Sequence, residues 1–326
     1  MSVDAIGIVV IGRNEGARLV ACMESLGPLA RAAVYVDSGS SDGSVDAARD
    51  RGLTVVELDL GTPFTAARAR NAGFETLCAA RPDIRFVQFV DGDCRIVPGW
   101  IETAATFLVR HEGVAVVAGR RREVLPEASP YNALCDEEWD TPVGEALAVG
   151  GDCMMRAEAF RAVGGYAPDL IAGEEPELCA RLRAKRWRIR RLDADMTLHD
   201  AAMTRFAQWW RRTERGGHAF AEVAARLRGS PVAIWQREER RALVWAVGLP
   251  ALALAGPVFA HPLFAIVLAA YPLQVARLWH RGTGNARARL RRAVFMTLAK
   301  FPEAQGALRY RVGRLVRRRV GLIEYK

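Results

Sequence analysis

The first half of the chain alternates short β-rich runs with amphipathic helical patterns, and this alternation constrains the fold more than any other feature. The predicted strands are Ile6–Ile11, Ala33–Val36, Thr54–Leu58, Ile84–Val90 and Val114–Ala118. The helices predicted between them are Glu15–Leu26, Ser44–Arg51, Pro63–Ala80 and Trp100–Arg110. This order predicts an α/β fold, a mostly parallel sheet with helices on both faces. Ligands of such sheets bind outside the carboxyl ends of the strands, so the segments after each strand are the candidate site.

Two acids flank a glycine directly after the fourth strand, in the segment Asp91-Gly-Asp93. Gly92 permits a tight turn, so both carboxylates can face one point outside the sheet edge. Paired oxygen ligands of this kind suit Mg²⁺ or Mn²⁺ bridging a diphosphate. The alternative is a turn with two capping aspartates, which has no function beyond the turn.

Three further polar clusters lie beside strands, near the same predicted sheet edge. They are Gly12–Glu15 after the first strand, Asp37–Gly43 after the second, and Ala69–Gly73 before the fourth. Their hydroxyls and carboxylates can cap the following helices, or they can accept hydrogen bonds from a nucleobase or ribose. Four polar clusters near one edge favour a nucleotide site over isolated capping.

In this set of segments, the sequence resembles the family-two glycosyltransferases, over about residues 6–218. The matching pieces, in the family's order and approximate spacing, are Val9–Glu15, Asp37–Asp42, Ala69–Gly73, Asp91–Asp93, Gly150–Asp152, Gly173–Leu178 and His199. The resemblance implies a GT-A fold and a nucleotide-diphosphate sugar as donor. It also implies a divalent metal ion, Mn²⁺ or Mg²⁺, as cofactor.

The resemblance also implies a role for each matching position. Asp37 would bind the donor base, and Asp91 would lie near the ribose and the metal. The implied metal ligands are Asp93, Asp91 and His199. The implied nucleotide-sugar residues are Gly12, Asn14, Glu15, Asp37, Arg70, Asn71 and Asp91. Gly151 and Asp152 would lie on the acceptor side. For His199, the alternative is a hydrogen-bonded histidine at the end of a strand.

Inversion at the anomeric carbon needs a carboxylate within hydrogen-bond reach of the acceptor hydroxyl, to take its proton. The family usually has Glu-Asp at this point, and this chain has Glu174-Glu175. We therefore expect Glu175 to be the base, with Glu174 as the alternative and Asp152 as the next candidate. The competing interpretation is that both glutamates only favour the start of the helix predicted from Glu177 to Lys185.

Two arginine-rich segments remain. Gln208–Arg215 resembles the Gln-x-x-Arg-Trp signature of processive family members, but Arg212 stands where tryptophan is expected. Arg212 is a candidate for binding the donor diphosphate, and the aromatic residues around it are typical either of an interfacial helix or of a core-facing stripe. Arg120–Arg122 is expected to be a solvated charge run, with contact to an anionic acceptor as the alternative.

The character of the sequence changes at Ala242. Ala242–Val258 has no charged residue, and Leu263–Leu278 is apolar apart from Gln274 and Arg277. Basic residues flank the stretch on both sides, which predicts a membrane hairpin over about residues 242–278 with both flanks in the cytoplasm. The alternatives are a buried helical hairpin of a soluble domain and a re-entrant hairpin that does not cross fully. The predicted domains are a catalytic domain, residues 1–233, and a hairpin with a basic tail, residues 234–326.

The net charge of +9 is concentrated around and beyond this apolar segment. That distribution favours a membrane lipid over nucleic acid as the anionic partner. No Cys-x-x-Cys pair occurs among the six cysteines, which indicates buried thiols in a reducing compartment. The expected location is the cytoplasmic face of the plasma membrane, integral or monotopic through the hairpin.

The sequence therefore predicts a metal-dependent, inverting glycosyltransferase. Its acceptor would be a glycan or a polyprenyl-linked molecule bound for a surface polysaccharide. One alternative is a sugar nucleotidyltransferase, which would carry a glycine-rich phosphate loop where this chain has Gly12–Glu15. The other is a non-catalytic membrane scaffold, which would not need Asp91, Asp93 and Glu175.

Overall fold

The computed structural model describes residues 5–259 and 261–316 of the chain. These residues divide into two compact units, the first ending at Ala202 and the second beginning at Met203. The boundary predicted from the sequence lies later, between residues 233 and 234. The helix that follows Ala202 therefore belongs to the second unit.

The first part of unit one is a parallel sheet of four strands with helices between them. The strands are β1 (Ile6–Gly12), β2 (Ala33–Asp37), β3 (Thr54–Glu57) and β4 (Phe86–Asp91), and the helices are α1 (Ala17–Ser25), α2 (Ser44–Asp50) and α3 (Ala66–Ala80). The register pairs Gly12 with Asp37 and Ile11 with Asp91, so the strand ends are level. The predicted polar clusters after β1, β2 and β4 thus begin at one edge of the sheet.

The second part of unit one adds strands of both directions. Its strands are β5 (Cys94–Ile96), β6 (Val114–Glu123), β7 (Gly144–Glu145), β8 (Cys153–Arg156) and β9 (Arg188–His199). Its helices are α4 (Trp100–Arg110), α5 (Pro130–Trp139), α6 (Ala157–Ala162) and α7 (Glu174–Ala184). Within the described residues the sheet order is β3-β2-β1-β4-β8-β6-β9-β5, with β7 paired to β9.

The sheet is mixed, whereas the sequence predicts a mostly parallel one. β8 runs antiparallel between β4 and β6, and β5 runs antiparallel to β9. The α/β prediction is confirmed, but these short strands have no clear signal in the sequence. The four residues of β8 are Cys153-Met-Met-Arg156, without the β-branched side chains that mark a strand.

β6 is twice as long as predicted, and this extension changes the surroundings of its arginines. The strand continues from Ala118 to Glu123 and pairs with β9 through three register shifts. Arg120 is buried as a result, Arg121 is half-buried, and only Arg122 is exposed. The prediction of a solvated charge run is therefore wrong for Arg120 and Arg121.

Unit two is helical in its described residues. Its α-helices are α8 (Phe206–Arg226), α9 (Gln236–Leu243), α10 (Leu249–Phe259), α11 (Ala270–Arg281), α12 (Ala286–Leu298) and α13 (Lys300–Leu315). A π-helical turn at Val244–Gly248 joins α9 to α10, and a 3₁₀ segment, Pro262–Ala269, packs back against α10. A helical hairpin therefore occupies the predicted segment, although residue 260 in its predicted turn lies outside the described residues.

No helix in the described parts of the chain combines the length and the apolar character that crossing a bilayer requires. The predicted membrane hairpin is thus unconfirmed. The basic tail predicted after the hairpin, from about residue 279, is described as far as residue 316 and contains α12 and α13, whereas residues 317–326 lie outside the described residues.

α8 and α13 cross at a very short distance, which two glycines make possible. A Cβ on Gly217 of α8 would overlap the backbone of Glu303, and a Cβ on Gly306 of α13 would overlap the carbonyl of Glu214. The backbones of the two helices are therefore in direct contact. Gly216, the neighbour of Gly217 in the same helix, has no atom within 4 Å of its Cβ position.

We expect Gly217→Ala to lower the melting temperature of the protein and Gly216→Ala to raise it slightly. The first adds a methyl group against backbone that cannot rotate away, at a cost of about 1–3 kcal/mol. The second replaces glycine in an open helical position, a gain of up to about 1 kcal/mol. Thermal unfolding followed by circular dichroism measures both. Equal melting temperatures for the two variants would contradict the close crossing.

Candidate active site

The Asp91-Gly-Asp93 segment lies at the carboxyl end of β4, beside the end of β1. Gly92 donates its backbone N–H to the carbonyl of Ile11 at 2.7 Å, and a Cβ at this position would lie 3.1 Å from that oxygen. Gly92 is not among the glycines with positive φ. The chain makes the predicted tight turn at Gly92 and Asp93, and glycine is required there by the close approach to β1 and not by a positive φ.

Asp91 is held between two arginines. Its Oδ1 lies 2.8 Å from Arg70 Nη2, and its Oδ2 lies 3.3 Å from Arg121 Nη2. Burial by itself would raise the pKa of Asp91, but the two guanidinium groups outweigh it and hold the pKa below its usual range. The carboxylate is therefore ionised at any physiological pH.

Arg70 joins Asp91 to the two glutamates at the start of α7. Its Nη1 lies 2.9 Å from Glu174 Oε1 and 3.2 Å from Glu175 Oε1. The guanidinium fits there because residue 151 is glycine: a Cβ on Gly151 would overlap Arg70 Nη2. One buried cation thus contacts three carboxylates from two different elements.

The two glutamates differ in exposure and therefore in what they can do. The Glu174 side chain is 4% exposed, whereas that of Glu175 is 15% exposed. Burial and the neighbouring Glu174 together raise the pKa of Glu175 to about 7, against the opposing effect of Arg70. A carboxylate with that pKa can accept a proton at neutral pH and still be ionised in a large fraction of molecules.

Asp152 is fully buried beneath the site. Its Oδ1 accepts the backbone N–H of Asp91 at 2.9 Å, and its Oδ2 accepts the hydroxyl of Thr197 at 2.8 Å. The same Oδ2 lies 2.8 Å from Arg121 Nη2. This carboxylate fixes the backbone of Asp91 and the side chain of Arg121, and it presents no oxygen to the surface.

Asp93 and His199 are in contact, at the ends of neighbouring strands. Asp93 Oδ2 lies 3.2 Å from His199 Nε2, and the thiol of Cys94 donates to Asp93 Oδ1 at 3.5 Å. Burial lowers the pKa of His199, which keeps its ring neutral and able to bind a metal. Oxygen, nitrogen and sulfur atoms of Asp93, Cys94 and His199 lie within 4.8 Å of one another, which fits a divalent cation.

Asp91 belongs to a different group from Asp93. With Cys94 and Asp152 it forms a second set of closely spaced ligand atoms. The structure therefore brings Asp93 and His199 together but leaves Asp91 in ion pairs with arginine. The assignment of all three residues as ligands of one metal stays a prediction.

Asp37 is buried at the end of β2, where it organises its own loop. Its Oδ2 accepts the backbone N–H groups of Gly39 and Ser40, both at 2.8 Å, and its Oδ1 accepts the hydroxyl of Tyr35 at 2.8 Å. Asn14 ties the neighbouring loop to this one, since its Oδ1 accepts the backbone N–H of Ser41 at 2.8 Å. Contact of Asp37 with a nucleobase stays a prediction.

The remaining predicted nucleotide residues are more dispersed. The side chain of Asn71 exchanges two hydrogen bonds with the backbone of Tyr166, at 2.8 and 2.9 Å, and so anchors the chain after α6. Glu15 pairs with Arg18 at 2.7 Å, and Gly12 ends β1 beside the ring of Tyr35. Arg212 lies on α8, in unit two.

Sequence reasoning missed three residues of this site: Arg121, Cys94 and Glu123. Arg121 lay in a segment expected to be solvated, with contact to an anionic acceptor as the alternative, and Cys94 was considered only as a buried thiol. The sequence did contain a signal for Arg121. An arginine run directly after an apolar strand is also the pattern expected when the strand continues into a binding site. Glu123 carries no local signal, since it contacts His199 only through the pairing of β6 with β9.

The comparisons with known proteins agree with this architecture. Residues 7–142 match the model of the family described as "Glycosyl transferase family 2". This match confirms the resemblance carried by the motifs, and the matched segment runs from β1 into the loop after α5. The segment from β1 to α5 therefore matches this family, and the predicted motifs Gly150–Asp152, Gly173–Leu178 and His199 lie beyond the matched segment.

Solved structures also resemble the chain. Mannosyltransferase PcManGT from Pyrobaculum calidifontis, solved in complex with GDP-Man and Mn²⁺, has 17% identity, with 93% of this chain and 87% of that chain covered and a TM-score of 0.60. TarS from S. aureus has 15% identity, coverage of 94% and 91%, and a TM-score of 0.49. At such identities the first likeness shows the fold alone. None of the proteins with curated descriptions matches the sequence.

We expect Asp152→Asn to destabilise unit one by roughly 1–3 kcal/mol, because the half-buried Arg121 loses its shorter ion pair and keeps only the one with Asp91. The matched control is Asp195→Asn, which removes the partner of Arg122, the exposed arginine next to Arg121. An exposed pair contributes only about 0.2–1 kcal/mol. Urea unfolding of both variants measures the difference. A cost for Asp152→Asn no larger than for Asp195→Asn would show that the buried pair is not structural.

Proposed function

We propose that this chain is an inverting glycosyltransferase that moves a sugar from a nucleotide-diphosphate sugar to an acceptor hydroxyl. The observation that supports it most is the cluster in which Arg70 contacts Asp91, at the sheet edge, and Glu175, at the start of α7. The cluster unites the two requirements of the reaction, a charged donor edge and a proton acceptor beside it.

On the donor side, the proposed nucleotide site is the edge formed by the ends of β1, β2 and β4. Arg70 and Arg121 are cations within reach of Asp91, and guanidinium groups bind phosphate oxygens well. A divalent cation bound by Asp93 and His199 would neutralise charge on the diphosphate. PcManGT, which has the same fold, was solved with a nucleotide sugar and Mn²⁺.

On the acceptor side, Glu175 takes the proton of the acceptor hydroxyl while that oxygen attacks the anomeric carbon. The bond from this carbon to the nucleoside diphosphate breaks in the same displacement, and the configuration inverts. Glu174 supports the base in two ways, by raising the pKa of Glu175 and by sharing its cation, Arg70. The proposed acceptor is a glycan or a polyprenyl-linked molecule used in surface polysaccharide synthesis.

We expect Glu175→Gln to lower turnover by about 10²–10⁴-fold, because glutamine keeps the shape but cannot accept a proton. Donor binding should change less than turnover, because glutamine keeps an oxygen that can accept from Arg70, and Asp93 and His199 are unaltered. Glu177→Gln is the control: it removes a charge from the same helical turn, but Glu177 pairs with Arg181 and not with Arg70. Nucleoside diphosphate release from a panel of nucleotide sugars, with and without acceptors, gives the rates.

The pH profile separates the roles of the two glutamates. Since Glu175 must be ionised to act, turnover of the wild type should rise with pH through about pH 7, the pKa of this carboxyl group. Glu174→Gln removes the repulsion that raises the pKa of Glu175, so the rise of turnover with pH should move to lower pH. An active Glu175→Gln variant with an inactive Glu174→Gln variant would exchange the roles. Release of pyrophosphate would instead indicate a nucleotidyltransferase.

We further propose that unit two attaches the enzyme to the cytoplasmic face of the plasma membrane, lying in the interface. Large apolar side chains are exposed along its helical hairpin: Leu252, Leu254, Leu263, Ile266, Leu268 and Leu273. Arginines border this surface in sequence, before it at Arg240 and Arg241 and after it at Arg277 and Arg281. Exposed apolar side chains flanked by cations are typical of proteins that bind anionic lipid surfaces.

We expect the protein to co-sediment with vesicles containing anionic lipid, and the double variant Leu254→Asp/Ile266→Asp to remain in solution. Both side chains are more than 70% exposed, so the substitutions leave the fold intact. Leu147→Asp, at an exposed position in unit one, is the control for added charge and should bind like the wild type. Co-sedimentation of the double variant at wild-type levels would contradict attachment through the hairpin.

A further inference from the structure

The Asp93 site contains a thiol that the proposed transfer reaction does not use. Cys94 is fully buried, and its Sγ lies 3.5 Å from Asp93 Oδ1. Magnesium and manganese prefer oxygen ligands, so a sulfur atom adds nothing for them. The position of Cys94 therefore calls for a different explanation, which the geometry of the site supplies.

The pairing of two strands places Cys94 beside His199. β5 and β9 are antiparallel, and Cys94 is directly opposite His199 in their register. Side chains of directly opposed residues lie on the same face of a sheet, with Cβ atoms about 4.5–5.5 Å apart. Asp93 precedes Cys94 and completes a set of three ligands of three kinds: carboxylate, thiol and imidazole.

The carboxylate of Asp93 lies at the ligand spacing of a tetrahedral ion from each of its two neighbours. Zinc binds sulfur at about 2.3 Å and nitrogen or oxygen at about 2.0 Å, so neighbouring ligand atoms of a tetrahedral site lie roughly 3.3–3.5 Å apart. The carboxylate of Asp93 lies 3.5 Å from Cys94 Sγ through one oxygen and 3.2 Å from His199 Nε2 through the other. One ligand atom from each residue falls within 4.8 Å of the others, so the three atoms must approach one another when an ion binds.

A second carboxylate stands behind the imidazole. His199 Nδ1 is buried and forms no hydrogen bond among the described residues, and Glu123 Oε2 lies 3.8 Å from it. Glu123 is itself held by the backbone N–H of Ala201 at 3.0 Å. A carboxylate on the far nitrogen of a histidine is the usual outer partner of a zinc-bound imidazole, and it leaves Nε2 for the metal.

The other group of ligand atoms that includes Cys94 is less suitable. It consists of Asp91, Cys94 and Asp152. Both of its carboxylates already pair with Arg121, and Asp91 also pairs with Arg70. A cation there would compete with two guanidinium groups.

We propose that Asp93, Cys94 and His199 bind Zn²⁺, through carboxylate, thiolate and imidazole, and that zinc bound there excludes the cation used for transfer. On binding, the thiol releases its proton to solvent as the sulfur–zinc bond forms. The inhibitory part rests on the proposed function, because it requires that transfer uses a cation at Asp93. The binding part requires only the three side chains.

The binding part is tested on the metal-free full-length protein with Co²⁺ as a spectroscopic probe for zinc. The wild type should develop the absorption of thiolate-to-cobalt charge transfer, and Zn²⁺ should abolish it by displacement. In Cys94→Ser, the absorption should be absent, and zinc affinity should fall by more than about tenfold, the loss seen even for an outer partner of a metal ligand. Cys78→Ser, which alters a half-buried cysteine of α3, is the control and should match the wild type.

A wild-type protein without the charge-transfer absorption, or equal zinc affinities for the wild type and Cys94→Ser, would overturn the proposal. If Cys94→Ser does not fold, the zinc affinity of Cys94→Ala and the cobalt spectrum of the wild type test the proposal instead. The inhibitory part predicts that zinc competes with Mn²⁺ in nucleoside diphosphate release, and less strongly in Cys94→Ser. A chain that binds zinc through Cys94 but transfers no sugar would overturn the proposed function and leave the zinc site standing.

Discussion

The candidate site is organised by one buried guanidinium group, that of Arg70. Its side chain is 3% exposed, and it contacts Asp91, Glu174 and Glu175. A buried charge costs several kcal/mol unless it is well paired, so three carboxylates around one cation constrain one another strongly. These contacts hold together the end of β4, the helix α3 and the start of α7. They therefore set the distance between the donor edge and the base, Glu175.

Arg121 balances the remaining negative charge. Asp152 accepts a hydrogen bond from the backbone N–H of Asp91, so the two carboxylates are close together. They would repel each other without Arg121, which pairs with both. The two arginines together offset four buried or half-buried carboxylates, which leaves the site with excess negative charge. Such an excess favours binding a divalent cation, and, together with the larger effect of burial, it raises the pKa of Glu175.

The sequence predicted the parts of this arrangement that depend on local patterns. The four parallel strands follow from apolar runs, and the sheet-edge positions of Asp37 and Asp91 follow from the strand ends. The antiparallel strands could not be predicted in this way, because β5 has three residues and β8 has four, too few to show a period. The burial of Arg121, the pairing of Cys94 with His199 and the contact of Glu123 with His199 all depend on β9, which pairs with three other strands. Non-local pairing of that kind leaves no trace in the segment itself, so these residues were missed.

The sharing of Arg70 has a consequence for how substitutions combine. Arg70 stabilises the ionised form of Glu175, so Arg70→Ala would raise the pKa of Glu175. The same substitution would remove one of the two cations that pair with Asp91. Donor edge and base would change together, and the effects of Arg70→Ala and Glu175→Gln would not add, since residues in one ion-pair network are coupled. Gly151 extends this coupling to the backbone, because any larger residue there would displace the guanidinium group. The donor edge and the acid pair therefore act as a single electrostatic unit, although more than eighty residues separate Asp91 from Glu175 in the sequence.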